Sequence, residues 1–192
     1  MSQVKNLLIG ISGSINVANI FPYIGAIQQE MQCRLHIMMT PGAQSFMPAS
    51  TLMHSIDGDV FTDMKAHGEF KMPHVELGQW ADAIILLPAS ANTIARVASG
   101  FADEIVSAAI LAANEPTIIF PSMYLGMWRK NSVQRNIETL KSDGFYVYQP
   151  SVFMEQPDAT VDAFSGGSLP SPAQTAEYIK AVVNGQVKLR QN

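Results

Sequence analysis

The chain has 192 residues, 47% of them hydrophobic and 15% charged, with a formal net charge of −4 and a mean hydropathy of +0.11. That length suits one domain with a sizeable core, and the apolar excess fits a buried parallel sheet together with surface covered in an oligomer. The twelve Lys and Arg are scattered rather than striped, which argues against a nucleic-acid partner. Cys33, the single cysteine, excludes a disulfide framework and suits a reducing cytoplasm.

The opening Met1-Ser2-Gln3-Val4-Lys5 lacks the apolar stretch of a signal peptide, and no apolar run reaches the ~20 residues of a membrane span. Leu7-Leu8-Ile9-Gly10-Ile11 reads as a first strand buried on both faces, Ser12-Gly13-Ser14 as a turn, and Asn16 to Gln29 as a helix kinked or delayed by Pro22 and Gly25. Arg34 to Met39 is a second strand, ended by Thr40-Pro41-Gly42 and followed by a short helix over Ala43–Phe46. A polar, irregular region runs from Ser50 to Pro73. The third strand is placed over Trp80–Leu87, with helices over Asn92–Ser99 and Asp103–Ala112. Thr117–Phe120 is a fourth strand, Ser132–Ser142 a helix and Phe145–Tyr148 a fifth strand, with Asp143-Gly144 as a left-handed helix cap. Residues 149–172 lose all periodicity, and Thr175–Val183 closes the chain as a helix. The alternation predicts a single domain over 1–192, an α/β doubly wound parallel sheet that binds its ligand where strand ends turn into helices.

Three such turns carry candidate chemistry. Gly10-Ile11-Ser12-Gly13-Ser14 offers backbone N–H groups and two hydroxyls to an anion, but it is neither a G-x-G-x-x-G turn nor a P-loop. Strand two ends in Met38-Met39-Thr40 with no acid for a ribose hydroxyl, so a nicotinamide dinucleotide is disfavoured and flavin mononucleotide (FMN) fits better. Pro88-Ala89-Ser90-Ala91-Asn92-Thr93 places small residues where a flat ring could lie, with Asn92 suited to cap the next helix. Pro121 through Trp128 forms the third turn, in which Met123, Met127 and Trp128 serve either a pocket or core packing. The four histidines show no metal-ligand spacing, so no metal is expected.

These motifs resemble the homo-oligomeric flavin-containing cysteine decarboxylases, whose signatures are PASANT and PxMNxxMW, and most of all the lantibiotic-type peptidyl-cysteine decarboxylases. The likeness runs from strand one to Pro150 through the Ser-Gly-Ser-Ile turn, His74-Val75-Glu76, the whole PASANT motif, Ser99-Gly100 and Met123 through Trp128. It implies a flavodoxin-like (Rossmann-type) fold, a homotrimer or dodecamer, and FMN or FAD held by Gly10, Ser12, Gly13, Ser14, Thr40, Ser45, Pro88, Ala89, Ser90, Ala91, Asn92 and Thr93. The implied reaction oxidises the C-terminal cysteine of a ribosomal precursor peptide and releases its carboxylate as CO₂, leaving an aminoenethiol. Hydride loss from Cβ to the flavin and proton loss from sulfur make a thioaldehyde, the electron sink that decarboxylation needs. His74 falls on the family's catalytic histidine, and imidazole is suited to proton transfer near neutral pH.

Two positions depart from the family. Tyr124 stands where the motif has asparagine, which leaves either a shifted substrate at this catalytic position or a non-catalytic flavin-binding regulatory subunit. Phosphopantothenoylcysteine decarboxylases reduce the enethiol with a late cysteine, and no cysteine follows Cys33, so the product would leave unreduced. A flavin prenyltransferase shares this fold but needs clustered basic residues, and the third turn has only Arg129 and Lys130. Residues 151–169 are expected to form a substrate flap, with Phe153, Met154 and Phe164 gripping the peptide and Gly166-Gly167 as its hinge.

Overall fold

Leu7, Ile9 and Ile11 alternate with Leu8 along one strand, and all four side chains are fully buried. A strand buried on both faces belongs in the middle of a parallel sheet covered by helices on each side. In the computed structural model, which describes residues 4–149 and 169–187, that strand is β1 (Asn6–Ile11). A 3₁₀ turn (Ile15–Asn19) leads into α1 (Ile20–Met31), and β2 (Arg34–Met39) follows. Then come α2 (Pro41–Gln44), α3 (Ala49–Met53), the two-residue β3 (Val60–Phe61) and α4 (Pro73–Trp80). The second half holds β4 (Ala83–Ala89), α5 (Ala91–Ala98), α6 (Ile105–Ala112), β5 (Thr117–Pro121) and α7 (Leu125–Trp128). It ends with α8 (Asn131–Ser142), β6 (Tyr146–Val147) and α9 (Pro172–Val183).

All strand pairs are parallel and the order is β3-β2-β1-β4-β5-β6, the doubly wound Rossmann order. The chain leaves β1 toward β2 and β3, then returns to β4 on the other side, so the order reverses between β1 and β4. Their carboxyl ends therefore frame the crevice in which such sheets bind ligands. One face of the sheet packs Leu7, Ile9 and Ile11 with Ile20, Ile24 and Ile27 of α1 and Ala176, Ile179 and Val182 of α9. The other packs Leu8, Ile84 and Leu86 with Leu77, Ile94, Val106, Ala109, Ile137 and Leu140 from α4, α5, α6 and α8.

The strands lie close to their expected positions, and the differences have local causes. Pro22 falls in the first turn of α1, where its missing N–H would have no partner anyway, and the helix runs through Gly25 unbroken. Trp80 ends a helix rather than opening a strand, because Pro73 starts α4 and β4 begins only at Ala83. Gly78 lets α4 pack down on α6, since a Cβ there would stand 2.7 Å from the Ala109 carbonyl oxygen. Gly144 takes φ of 92° after α8, the left-handed cap expected of Asp143-Gly144. Within the region read as irregular, Val60–Phe61 adds an edge strand beside Ile37 and Met38. The expected flap over 151–169, with Phe153 and Met154, falls almost wholly outside the described residues. Among the described residues, no helix is long and apolar enough to cross a membrane.

Candidate active site

At the carboxyl end of the sheet the turns after β1, β2, β4 and β5 meet around a cavity of about 710 Å³. That volume lies within the range of small-molecule and cofactor sites. The turns are pinned together by buried polar contacts rather than by apolar packing alone.

Ser12, fully buried, donates its hydroxyl hydrogen to the Pro88 carbonyl oxygen at 2.7 Å and accepts from the Ser90 N–H at 2.7 Å. It thus fastens the β1 turn to the β4 turn. Gly13 and Gly42 bring the β1 and β2 turns equally close, since a Cβ on Gly13 would stand 3.0 Å from the Gly42 carbonyl carbon. Across the end of β4, the Ser14 and Ser122 hydroxyls lie 2.7 Å apart, and the Asn16 side-chain amide donates to Ser122 at 2.8 Å.

Helix capping aims the remaining hydroxyls. Thr40 caps α2 by accepting from the Ala43 N–H at 3.2 Å. Ser90 caps α5 by accepting from the Thr93 N–H at 3.3 Å, and its hydroxyl lies 3.2 Å from that of Thr93. The cap is therefore Ser90, not Asn92, which is left exposed on the first turn of α5. A hydroxyl holds one hydrogen to donate and can also accept. Ser14, Ser122, Ser90, Thr93 and Thr40 all line the cavity. Two of their five hydrogens are taken up within the Ser14–Ser122 and Ser90–Thr93 pairs. The other three have no acceptor among the described residues.

Charge enters on one wall only. Arg96 is the one cation lining the cavity among the described residues, and its guanidinium is hydrogen-bonded and ion-paired to Asp103. That contact raises the Arg96 pKa and lowers the Asp103 pKa. Glu104, also on the wall, has its pKa raised by burial, with Arg96 opposing the shift. Glu104 Oε1 and Arg96 Nε are buried without a hydrogen-bond partner among the described residues. The mouth is apolar, formed by exposed Ile15, Phe46, Tyr124 and Met127. The Tyr124 ring folds back over Gly126, where a Cβ would stand 2.6 Å from Tyr124 Cε1.

Of the residues expected to hold a flavin, the cavity gathers Gly13, Ser14, Thr40, Ser90, Ala91, Asn92 and Thr93. Gly10 stays inside β1, where a Cβ would stand 3.0 Å from Val106 Cγ1, so it serves helix-on-sheet packing. Ser12, Pro88 and Ala89 brace the turns from beneath, and exposed Ser45 donates to the Pro41 carbonyl at 3.5 Å. Of the substrate candidates, Met123 and Met127 line the cavity with Tyr124, whereas Trp128 packs into the core under α8. His74, near the start of α4, is outside the lining of its own chain's cavity, and its Nδ1 is buried without a hydrogen-bond partner among the described residues. Ser122, Arg96 and Glu104 were not foreseen. Ser122 lies inside a quoted motif, whereas the other two follow PASANT by spacings that carry no local signal.

This donor set fits a flavin mononucleotide. Hydroxyls at four strand ends face the cavity, small residues open the α5 turn, and no described residue fills the space between them. Among the described residues, no group of three or more His, Cys, Asp or Glu could hold a metal ion.

Comparison with known proteins agrees with this geometry. The family model described as Flavoprotein matches residues 1–181. The mersacidin decarboxylase of Bacillus sp. (strain HIL-Y85/54728) is 37% identical over 150 residues, covering 78% of this chain and 76% of that protein. The coenzyme A biosynthesis bifunctional protein CoaBC of Haemophilus influenzae is 32% identical over 149 residues, 77% of this chain but 37% of that protein. The chain thus spans little more than a third of that relative's length. Among solved structures, MrsD from Bacillus sp. HIL-Y85/54728 superposes with a TM-score of 0.77 at 32% identity, covering 94% of this chain and 97% of that one. An EpiD variant complexed with the substrate peptide DSYTC gives a TM-score of 0.69 at 31% identity, covering 77% and 82%.

Proposed function

We propose that this chain, which belongs to the flavoprotein family, is an FMN-dependent peptidyl-cysteine decarboxylase acting on a precursor peptide in lanthipeptide-type maturation. The observation that carries the reading is the cavity itself, with uncommitted hydroxyl donors at its base and an apolar mouth of Ile15, Phe46, Tyr124 and Met127. Likeness to the mersacidin decarboxylase and to EpiD with a cysteine-ended peptide supports the substrate class. The likeness to CoaBC supports the second reading, a phosphopantothenoylcysteine decarboxylase.

Ser14, Thr40, Ser90 and Thr93 would hold the cofactor, with Gly13, Ala91 and Asn92 leaving room for it. Bound FMN supplies the hydride acceptor for oxidation of the cysteine side chain. The protein's own part is to bind the peptide end, exclude water and receive the thiol proton. Met123, Met127 and Tyr124 contact the peptide at the mouth. Tyr124 offers one hydroxyl where the family motif has an amide, which sets which peptide ends fit rather than whether the reaction runs.

His74 is the proton-transfer group. Because it lies outside the cavity of its own chain, it acts in the cavity of a neighbouring copy, in keeping with a homotrimer or dodecamer. The setting is the cytoplasm, where Cys33 stays reduced. The test is to supply a cysteine-ended peptide and phosphopantothenoylcysteine separately to the purified flavoprotein and follow CO₂ release. Release from the peptide supports the proposal, and release from phosphopantothenoylcysteine alone transfers the chain to the second reading.

A further inference from the structure

Two buried atoms on the cavity wall are left unexplained by the fold. Glu104 is the N-cap of α6, where a side-chain oxygen can accept from the first N–H groups of the helix, yet it makes no capping bond. Its Oε1 is buried and has no hydrogen-bond partner among the described residues. Arg96 gives Nη1 to Asp103, while its buried Nε–H finds no acceptor among the described residues. Asp103 is the chain neighbour of Glu104, so holding the guanidinium there brings both open atoms to one stretch of wall, near enough for Arg96 to act on the Glu104 pKa. Buried polar groups are nearly always paired, so a donor and an acceptor left open side by side mark a place that a ligand completes.

The two atoms ask for opposite things. Arg96 Nε donates and Glu104 Oε1, as a carboxylate oxygen, accepts. A carboxylate or phosphate would suit Arg96 and be repelled by Glu104, and an ammonium would meet the reverse. A neutral secondary amide, with one carbonyl oxygen and one N–H, suits both. The wall also reaches solvent, since the Arg96 and Asp103 side chains are 31% and 53% exposed, so it meets a chain that enters through the mouth. The amide carried in with a reacting terminal cysteine is the one joining it to the residue before. We infer that Arg96 Nε donates to the carbonyl, and Glu104 Oε1 accepts from the N–H, of that last peptide bond. This rests on the peptide reading above and makes Arg96 and Glu104 specificity-determining for the same site.

Three substitutions separate these atoms from the fold. Arg96→Lys keeps a cation for Asp103 and puts a methylene where Nε stood. Glu104→Met keeps the length of the side chain without its oxygens, and Glu104→Gln keeps Oε1 as an acceptor. A serine-ended peptide, labelled at its other end, is titrated into the FMN-loaded full-length protein and followed by fluorescence anisotropy, beside the same peptide with an ester in place of its last amide. Arg96→Lys and Glu104→Met each weaken binding of the amide peptide about tenfold, and Glu104→Gln less than about threefold. The ester, which lacks the N–H, binds the parent about tenfold more weakly than the amide but binds Glu104→Met no more weakly. With cysteine-ended peptides the loss appears in KM rather than kcat. FMN affinity of the deflavinated variants and the mass of the assembly stay unchanged, which also shows that the variants are folded.

Undiminished binding of the amide peptide by Arg96→Lys and Glu104→Met overturns the assignment, as does an ester penalty in Glu104→Met equal to that in the parent. Weakened FMN binding with peptide affinity intact gives the wall to the cofactor instead, and a changed assembly mass gives it to a neighbouring copy. Either result also overturns the assignment. A parent that holds FMN yet binds no peptide sinks the peptide reading itself, and this assignment with it.

Discussion

Ser12→Ala separates two roles that the sequence alone left joined. The motif suggests a cofactor contact, whereas the structure makes Ser12 a brace between the first turn and the end of β4. Removing its hydroxyl deletes a fully buried hydrogen bond to Pro88 and leaves the partly buried Ser90 N–H without its acceptor. Losing the first costs about 1 kcal/mol and stranding the second about 1–2 kcal/mol. The Pro88 carbonyl keeps its bond from the Ser12 N–H at 3.2 Å, which caps the total near 2–3 kcal/mol. For a chain of this length that predicts a fall in midpoint temperature of about 5–10 °C. Urea unfolding of the deflavinated protein, read by fluorescence, should show a lower midpoint at an unchanged slope, while FMN affinity drops less than about tenfold. An undisturbed unfolding curve combined with lost FMN binding would refute the brace and return Ser12 to the cofactor.

Gly13→Ala drives a methyl against Gly42 backbone atoms at 3.0 to 3.2 Å, so the first two turns must part, and FMN titration should show at least about tenfold weaker binding. His74→Asn should leave the protein yellow and halt CO₂ release; undiminished turnover would remove His74 from the chemistry. Tyr124→Asn restores the motif amide and should keep or raise turnover of cysteine-ended peptides, measured as initial rates. Glu104 gives a pH test. Burial raises its folded-state pKa above the unfolded value, so its contribution is fully present below about pH 4.3 and is lost as pH rises through the folded pKa. Glu104→Gln should therefore gain stability over the parent at pH 7 and little or none at pH 4, measured by urea midpoints. An equal gain at both pH values would contradict the burial effect.

The sheet was legible because its central strands are apolar on both faces: Leu7–Ile11, Ala83–Leu87 and Thr117–Phe120 read as strands with no help from neighbours. Val60–Phe61 was not, since a two-residue edge strand has no period to detect and exists only through its bonds to β2. Helix α4 was hidden by Pro73 and Gly78, residues that usually break helices but here start one and fit it against α6. At the site, small and hydroxyl-bearing motif residues pointed to the right strand ends, yet local sequence could not sort Ser14 and Ser90 in the lining from Ser12 and Gly10 beneath it. That sorting depends on which turn crosses which. Glu104 reaches the wall because α6 is anchored by Ile105, Val106 and Ala109 in the core, and Arg96 because α5 is anchored by Ile94, long-range consequences with no local mark.

The central claim is oxidative decarboxylation of a peptide's terminal cysteine, and the mass of such a peptide after incubation with the purified FMN-loaded protein tests it most directly. The account predicts a loss of about 46 Da, one CO₂ and two hydrogens, from peptides ending in cysteine and none from the same peptides ending in serine. Cysteine-ended peptides recovered at unchanged mass from a fully flavin-loaded protein would contradict it.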